Sequence, residues 1–159
     1  MSSTKQAAAM MTAKASENLA ANIEAMPADK QDWKPVEGTR SALSQIQECA
    51  VINPFFASIL RDRAVPEMKP GEYEATCARL DTVKKAVGAL SEATKGLVAA
   101  IEAFPEELLG DSITLPFGPG LPMTFEQVMF AAYWNMTYHQ GQIAFIQTMY
   151  GDHEMHGKP

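Results

Sequence analysis

Cysteine is almost missing from this sequence. Cys49 and Cys77 are the only two in 159 residues, too few for a disulfide framework and in keeping with a reducing, cytoplasmic setting. Basic residues are also scarce: 13 Lys and Arg against 19 Asp and Glu leave a net charge of −6. That balance argues against a nucleic-acid partner, because phosphate neutralisation needs a basic face. No apolar run approaches the ~20 residues that span a bilayer, so no membrane partner is expected. The Ala- and Met-rich opening, Met1 to Ala21, is interrupted by Lys14 and Glu17 and does not read as a secretory signal. Internal repeats, a phosphate loop, a dinucleotide fingerprint, zinc-ribbon spacing and a Ser-His-Asp arrangement are all missing.

What remains is helix. At 47% hydrophobic and 20% charged, the chain can bury a core, and its length fits one domain. The first helix is expected from about Thr4 to Met26. A capping box at Ser3-Thr4-Lys5-Gln6 opens it, Met11, Ala15, Leu19, Ile23 and Met26 share one face, and Pro27 stops it. A loop with Trp33, Pro35 and Gly38 follows. The second helix begins near Thr39 or Ser41 and runs to about Leu60, with a kink or short break expected at Pro54. Its rows are Leu43, Ile46, Ala50 and Ile52, Phe55, Ile59, the latter extending back to Glu48 and Gln45.

From Tyr73 through Cys77, Leu80, Val83, Val87, Leu90, Thr94, Leu97 and Ile101 to Phe104, apolar positions keep a near-heptad spacing. The spacing predicts one helix of about 30 residues, ended by Pro105 and about 45 Å long at 1.5 Å per residue. Gly110 to Met123 is too rich in Pro and Gly for a helix and reads as a short extended loop or hairpin. The fourth helix opens with a second capping box, Thr124-Phe125-Glu126-Gln127, and ends near Tyr150, with Gly151 as its cap. The fold predicted is all-α, a four-helix bundle over residues 1–151, with 152–159 as a flexible tail.

One place in this pattern carries polar chemistry. Ala132, Asn135, His139, Gln142 and Ile146 form a single row on the fourth helix, and Glu48 holds an inward position on the second. A carboxylate facing a bundle interior must be paired, protonated or metal-bound. Convergence of Glu48, Asn135 and His139, with Gln45, Ile52 and Gln142 as neighbours, would give either of two things. One is a buried Glu–His ion pair held by amide hydrogen bonds. The other is a site for one divalent ion such as Zn, Ni, Fe or Mn, since imidazole and carboxylate suit first-row ions and an amide oxygen binds them weakly.

Other features read more plainly. Cys49 and Cys77 are expected as buried small hydrophobes, since a reactive thiol needs an electropositive, partly exposed setting. His153 and His156 belong to a frayed end. Trp134 and Tyr138, four apart on another side of the fourth helix, suit a subunit contact, an outer groove or packing against the third helix. A homodimer is the default expectation.

The residues Arg40-Ser41 with Glu48, and the run Asn135-Met136-Thr137-Tyr138-His139-Gln140-Gly141-Gln142-Ile143, resemble the DinB-like superfamily of metalloenzymes. Trp33-Lys34-Pro35, the Phe117-Gly118 turn and the Gly151-Asp152 ending sit where that family has similar features. The resemblance covers nearly the whole chain and implies an up-and-down bundle with a metal held by three histidines, one in the second helix and two as His-x-x-x-His in the fourth. Here Glu48 stands at the helix-two position, Asn135 replaces the first histidine of the pair, and only His139 is kept. Relatives with the full triad are similar to thiol-dependent transferases and isomerases. The expectation is therefore a DinB-like protein of unassigned activity with a polar inter-helix pocket. The alternative is a divalent-metal enzyme, thiol-dependent transferase or hydrolase-like, acting on a small molecule through Glu48, Asn135 and His139. The family's name comes from DNA-damage induction and implies no DNA binding.

Overall fold

Proline and glycine divide the chain where the sequence suggests, with one exception. The computed structural model describes residues 3–158, with side chains from Thr4 to Lys158. It contains α1 (Ser3–Glu24), α2 (Ala28–Gln31), α3 (Ala42–Asp62), α4 (Glu72–Arg79) and α5 (Val83–Ala103). A 3-10 turn (Glu106–Leu108), strands β1 (Ser112–Leu115) and β2 (Leu121–Thr124), and α6 (Phe125–Met149) complete it. The capping box expected at Ser3 rests on a side chain outside the described residues. Among the described residues no helix is long and apolar enough to cross a membrane.

The exception is the long third helix, which is two helices. Val83 does follow Leu80 at helical spacing, so the apolar stripe reads through. The backbone breaks between them because Thr82 is extended (φ −132°) and its hydroxyl accepts from the Lys85 amide at 3.3 Å. Asp81 adds a 2.8 Å contact with the Lys85 ammonium. An Asp-Thr pair is a helix start, and local capping overrides the period. The eight-residue α4 buries none of its residues, so Cys77 is only half-buried, not the core residue expected. At Pro54 the opposite happens: α3 runs through it unbroken, with the ring on an exposed position. A proline can stay inside a helix when its missing donor faces away from the core.

The four long helices form the bundle, with α1 and α3 each lying beside α5 and α6. Their directions follow from end contacts. Lys5, near the start of α1, donates to the Phe104 carbonyl at the end of α5 at 2.6 Å, so these two are antiparallel. Gln47 on α3 donates to the Leu80 carbonyl just before α5 at 2.9 Å, and Leu60 and Phe104 border one groove at the far ends, so α3 and α5 are parallel. Gln147 donates to the Asn22 carbonyl at 3.2 Å, which makes α6 parallel to α1. The run from α3 to α5 must therefore cross back along the bundle, with α4 on that crossover, so the expected up-and-down order holds from α1 to α3 and from α5 to α6 but not from α3 to α5.

The core has two apolar clusters. One gathers Phe55, Phe56, Leu97, Ile101, Phe104, Leu115 and Phe125 at the hairpin end. The other gathers Leu19, Ile23, Ile46, Leu90, Ile143 and Ile146. Between them lies a buried polar layer: Asn53 donates to the Thr94 hydroxyl at 3.0 Å, which donates to the Ser16 hydroxyl at 3.0 Å. The hairpin pairs Ser112 with Thr124 and Leu115 with Leu121. Gly120 is required in its turn, with φ +104° and only 3.2 Å between an added Cβ and the Thr114 methyl. At the start of α6 the predicted capping box forms between Thr124 and Gln127, and the carbonyls of Asp111 and Leu109 accept from the Phe125 and Glu126 amides at 2.9 and 3.0 Å. Where a frayed end was expected, Gly157 is buried against Gln140 and Asn18, and the Lys158 amide donates to Asn18 at 3.1 Å.

The polar layer gives a stability test. Thr94→Val keeps the volume and leaves Asn53 and Ser16 without their shared partner, so it should cost about 1–3 kcal/mol in denaturant unfolding. An unchanged midpoint would mean the layer is not a constraint.

Candidate functional site

The site starts at a helix cap. Ser41 is the N-cap of α3: its hydroxyl accepts from the Ser44 amide at 3.1 Å and donates to the Asp32 carboxylate at 2.6 Å. The cap pins the preceding residue, Arg40, at the entrance of the α3–α6 interface. From there the guanidinium donates to the Ser44 carbonyl at 3.2 Å and forms an ion pair with Glu48 Oε2. Glu48 lies on the α3 face turned toward α6, between Gln45 and Ile52.

From α6 the predicted residues come to meet it. His139, 1% exposed, places Nε2 3.0 Å from Glu48 Oε1. Asn135 Nδ2 donates to the same oxygen at 3.1 Å. The other ring nitrogen, Nδ1, lies 2.9 Å from Gln45 Oε1 and 3.1 Å from Gln142 Oε1. Both glutamines thus turn their side-chain oxygens toward that nitrogen. Cys49 donates its thiol hydrogen to Asn135 Oδ1 at 3.3 Å. Glu48, Asn135, His139, Gln45 and Gln142 thus form one connected network.

The electrostatics follow from the contacts. The His139 hydrogen bond above all, then the Asn135 amide and the Arg40 guanidinium, outweigh the cost of burial and hold the Glu48 carboxyl at about 2. Burial first, then the neighbouring Glu48 charge, pushes the Cys49 thiol up, so it stays a thiol and acts as a donor. Burial also pushes the Tyr73 hydroxyl on α4 up to about 12.

These donors do not fit a resident divalent ion. Both Glu48 oxygens are engaged. Asn135 turns its NH2 toward the carboxylate and its oxygen toward Cys49. Arg40 already places a fixed positive charge where a dication would compete for the same carboxylate. Among the described residues no group of three or more His, Cys, Asp and Glu gathers to hold a metal ion.

Beside the network lies a cavity of about 650 Å³ between α3, α6 and the hairpin. Its walls are mainly apolar, including Ile52, Phe56, Leu115, Phe117, Phe130 and Trp134; Glu48 and Asn135 supply a polar patch at the network, and Glu126 and Gln127 at the start of α6 also line it. Periodicity located Glu48, Asn135, His139 and Ile52. It could not locate Arg40 as the partner of Glu48, because Arg40 precedes the helix and shares no helical spacing with it. Nor could it locate Phe117, carried in by the hairpin turn. Trp134 and Tyr138 do not pack against the third helical segment; they stack on one another, 5.7 Å between centroids, on the outside of α6.

Comparison with known proteins agrees with this geometry at the level of fold. The sequence profile of the DinB superfamily matches residues 11–143. No curated protein matches the chain. A crystal structure of a DinB-like protein from Bacillus subtilis superposes with a TM-score of 0.61 at 17% identity, covering 93% of this chain and 94% of that one.

The depressed Glu48 carboxyl makes a pH prediction. Its contribution to stability is complete above its ordinary value of 4.5 and is lost as pH falls toward about 2, a loss of up to about 3 kcal/mol at 1.36 kcal/mol per unit. Glu48→Gln should flatten that part of the acid-unfolding curve. His139→Ala should lower stability at pH 7 by about 1–3 kcal/mol. Acid curves of wild type and Glu48→Gln that superpose would remove Glu48 from the account.

Proposed function

We propose, on the premise that the chain belongs to the DinB superfamily, that it binds a small, largely apolar molecule in the cavity beside Glu48 and Asn135, without a metal. The observation that carries this reading is the junction of the two features: a mainly apolar cavity of about 650 Å³ bordered by the carboxylate and amide of the network. That volume suits an ordinary small ligand, and an apolar wall with few fixed polar groups is the usual composition of such sites.

The network also indicates the ligand's polar end. Glu48 Oε1 already accepts from His139 and Asn135, and Oε2 accepts from Arg40. Counting valences leaves one lone pair on Oε2 and one hydrogen on the Asn135 amide. Because Arg40 already offsets the Glu48 charge, the patch favours neither a strong cation nor a strong anion. A neutral group that both donates and accepts, such as a carboxamide or hydroxyl, matches it, and an aromatic or alkyl body would lie against Phe56, Phe117 and Phe130.

One observation favours the metalloenzyme reading: Glu48 Oε1 and His139 Nε2 are 3.0 Å apart, a separation two ligands of one ion can share. The readings part experimentally. Thermal-shift screening with neutral aromatic amides and alcohols, against matched carboxylates and amines, should find stabilisation by the neutral set. Asn135→Leu should weaken that binding about tenfold, the ~1.4 kcal/mol of one hydrogen bond. Elemental analysis of protein purified without a metal-affinity tag should find no stoichiometric metal. Near-stoichiometric metal that disappears in His139→Ala, with no neutral ligand stabilising the protein, would replace this reading with the metal enzyme.

A further inference from the structure

The cavity leaves one large feature unexplained, the outer face of α6. From Gln127 to Gly151 the sequence holds no Asp, Glu, Lys or Arg, in a chain that is 20% charged. The inner side of that helix has an explanation: Val128, Met129, Ala132, Met136, Ile143 and Ile146 fill the core. The outer side does not. Trp134, Tyr138, Phe145 and Met149 form a stripe along it and are 66%, 51%, 65% and 46% exposed. Gly141 falls inside the stripe with open space where a Cβ would stand, so another chain can approach the backbone there.

The face is wider than one helix. Phe117 and Leu121, both exposed, border the apolar cavity together with Trp134. Exposed Val36 borders a second groove of about 530 Å³ with Tyr138, Phe145 and Met149. At the ~150–250 Å² of a large side chain, these exposures leave roughly 700 Å² of apolar surface in water. That exceeds the ~300–600 Å² of the largest patch on a typical monomer. It approaches the ~800 Å² per partner of a standard interface.

We propose that this face docks a second copy of the chain, α6 against α6 across a twofold axis. Charge selects the occupant. At −6 each, two copies repel wherever acidic surface meets acidic surface. A twofold axis sets a patch against itself, so only a patch without charge escapes that penalty. The α6 stripe is such a patch, with Arg40 and Glu126 lining the grooves on either side of it, and its depletion of charge and wealth of aromatics and Met match the centre of protein interfaces. A lipid surface fits less well, because an anionic headgroup layer attracts basic segments and α6 offers none across this stretch. Stripe residues edge both grooves, so the partner's helix closes the mouth of the ligand cavity. That closure rests on the ligand reading above; the association does not.

Sedimentation velocity of the full chain decides the association. Wild type should sediment at twice the 17.3 kDa chain mass, and the double variant Phe145→Glu, Met149→Glu at once that mass, with helical circular dichroism unchanged and a cooperative melt that no longer depends on protein concentration. Met10→Glu, at an exposed position on α1, should remain a dimer. A single-chain wild type, including one that floats with zwitterionic vesicles, overturns the proposal, and so does a dimer that survives the double variant. Nile red, a neutral apolar probe, reads the closure: its affinity should fall severalfold in the dissociated variant, whose altered residues lie outside the cavity wall. Dissociation with unchanged dye affinity upholds the dimer and overturns the closure alone.

Discussion

A carboxylate set between two helices is the constraint on which the site depends. Glu48 is held by a guanidinium from the segment before its helix and by an imidazole and an amide from the helix opposite. Each partner offsets part of the cost of taking a charge out of water, and leaving any of them out would strand the others. The network also fixes the register of α3 on α6, because His139 is gripped on its second nitrogen by Gln45 from one helix and Gln142 from the other. The cavity inherits its polar patch from this arrangement, and its apolar walls come from α3, α6 and the hairpin that precedes α6.

The parts of this fold that follow periodicity were readable from the sequence. Leu19, Ile23, Ile46, Phe55, Leu97 and Ile143 are buried where their spacing puts them, and the Thr124–Gln127 capping box and the hairpin after Gly110 formed as expected. Glu48, Asn135 and His139 converge because inward positions on adjacent helices must meet. The misreading at Leu80–Val83 has a specific cause. A stripe measures only which face residues occupy, and a capped break can preserve that face while ending the helix. The role of Arg40 was hidden for a related reason: a residue outside a helix has no phase, so its partner is set by the cap at Ser41 and the loop contact with Asp32. The short α2 and the tail's contacts with Asn18 likewise depend on tertiary docking.

The same helix thus faces two ways. Its inner row supplies core and network, while its outer row is uncharged and aromatic. A bundle helix normally spends its polar residues on the solvent side. Here the polar residues Asn135, His139 and Gln142 point into or beside the interior, and Trp134, Tyr138 and Phe145 point out. That inversion links the cavity beside Glu48 to the surface next to it, since Trp134 borders both.

The most direct measurement of the central claim is the carboxyl carbon resonance of Glu48, followed by NMR with selectively labelled glutamate. If an internal ion network replaces a metal site, the resonance stays at its ionised position from pH 7 down to about 3 and does not respond to one equivalent of zinc. A titration step in the ordinary glutamate range near 4.5, or a shift that saturates at one zinc per chain, would contradict it.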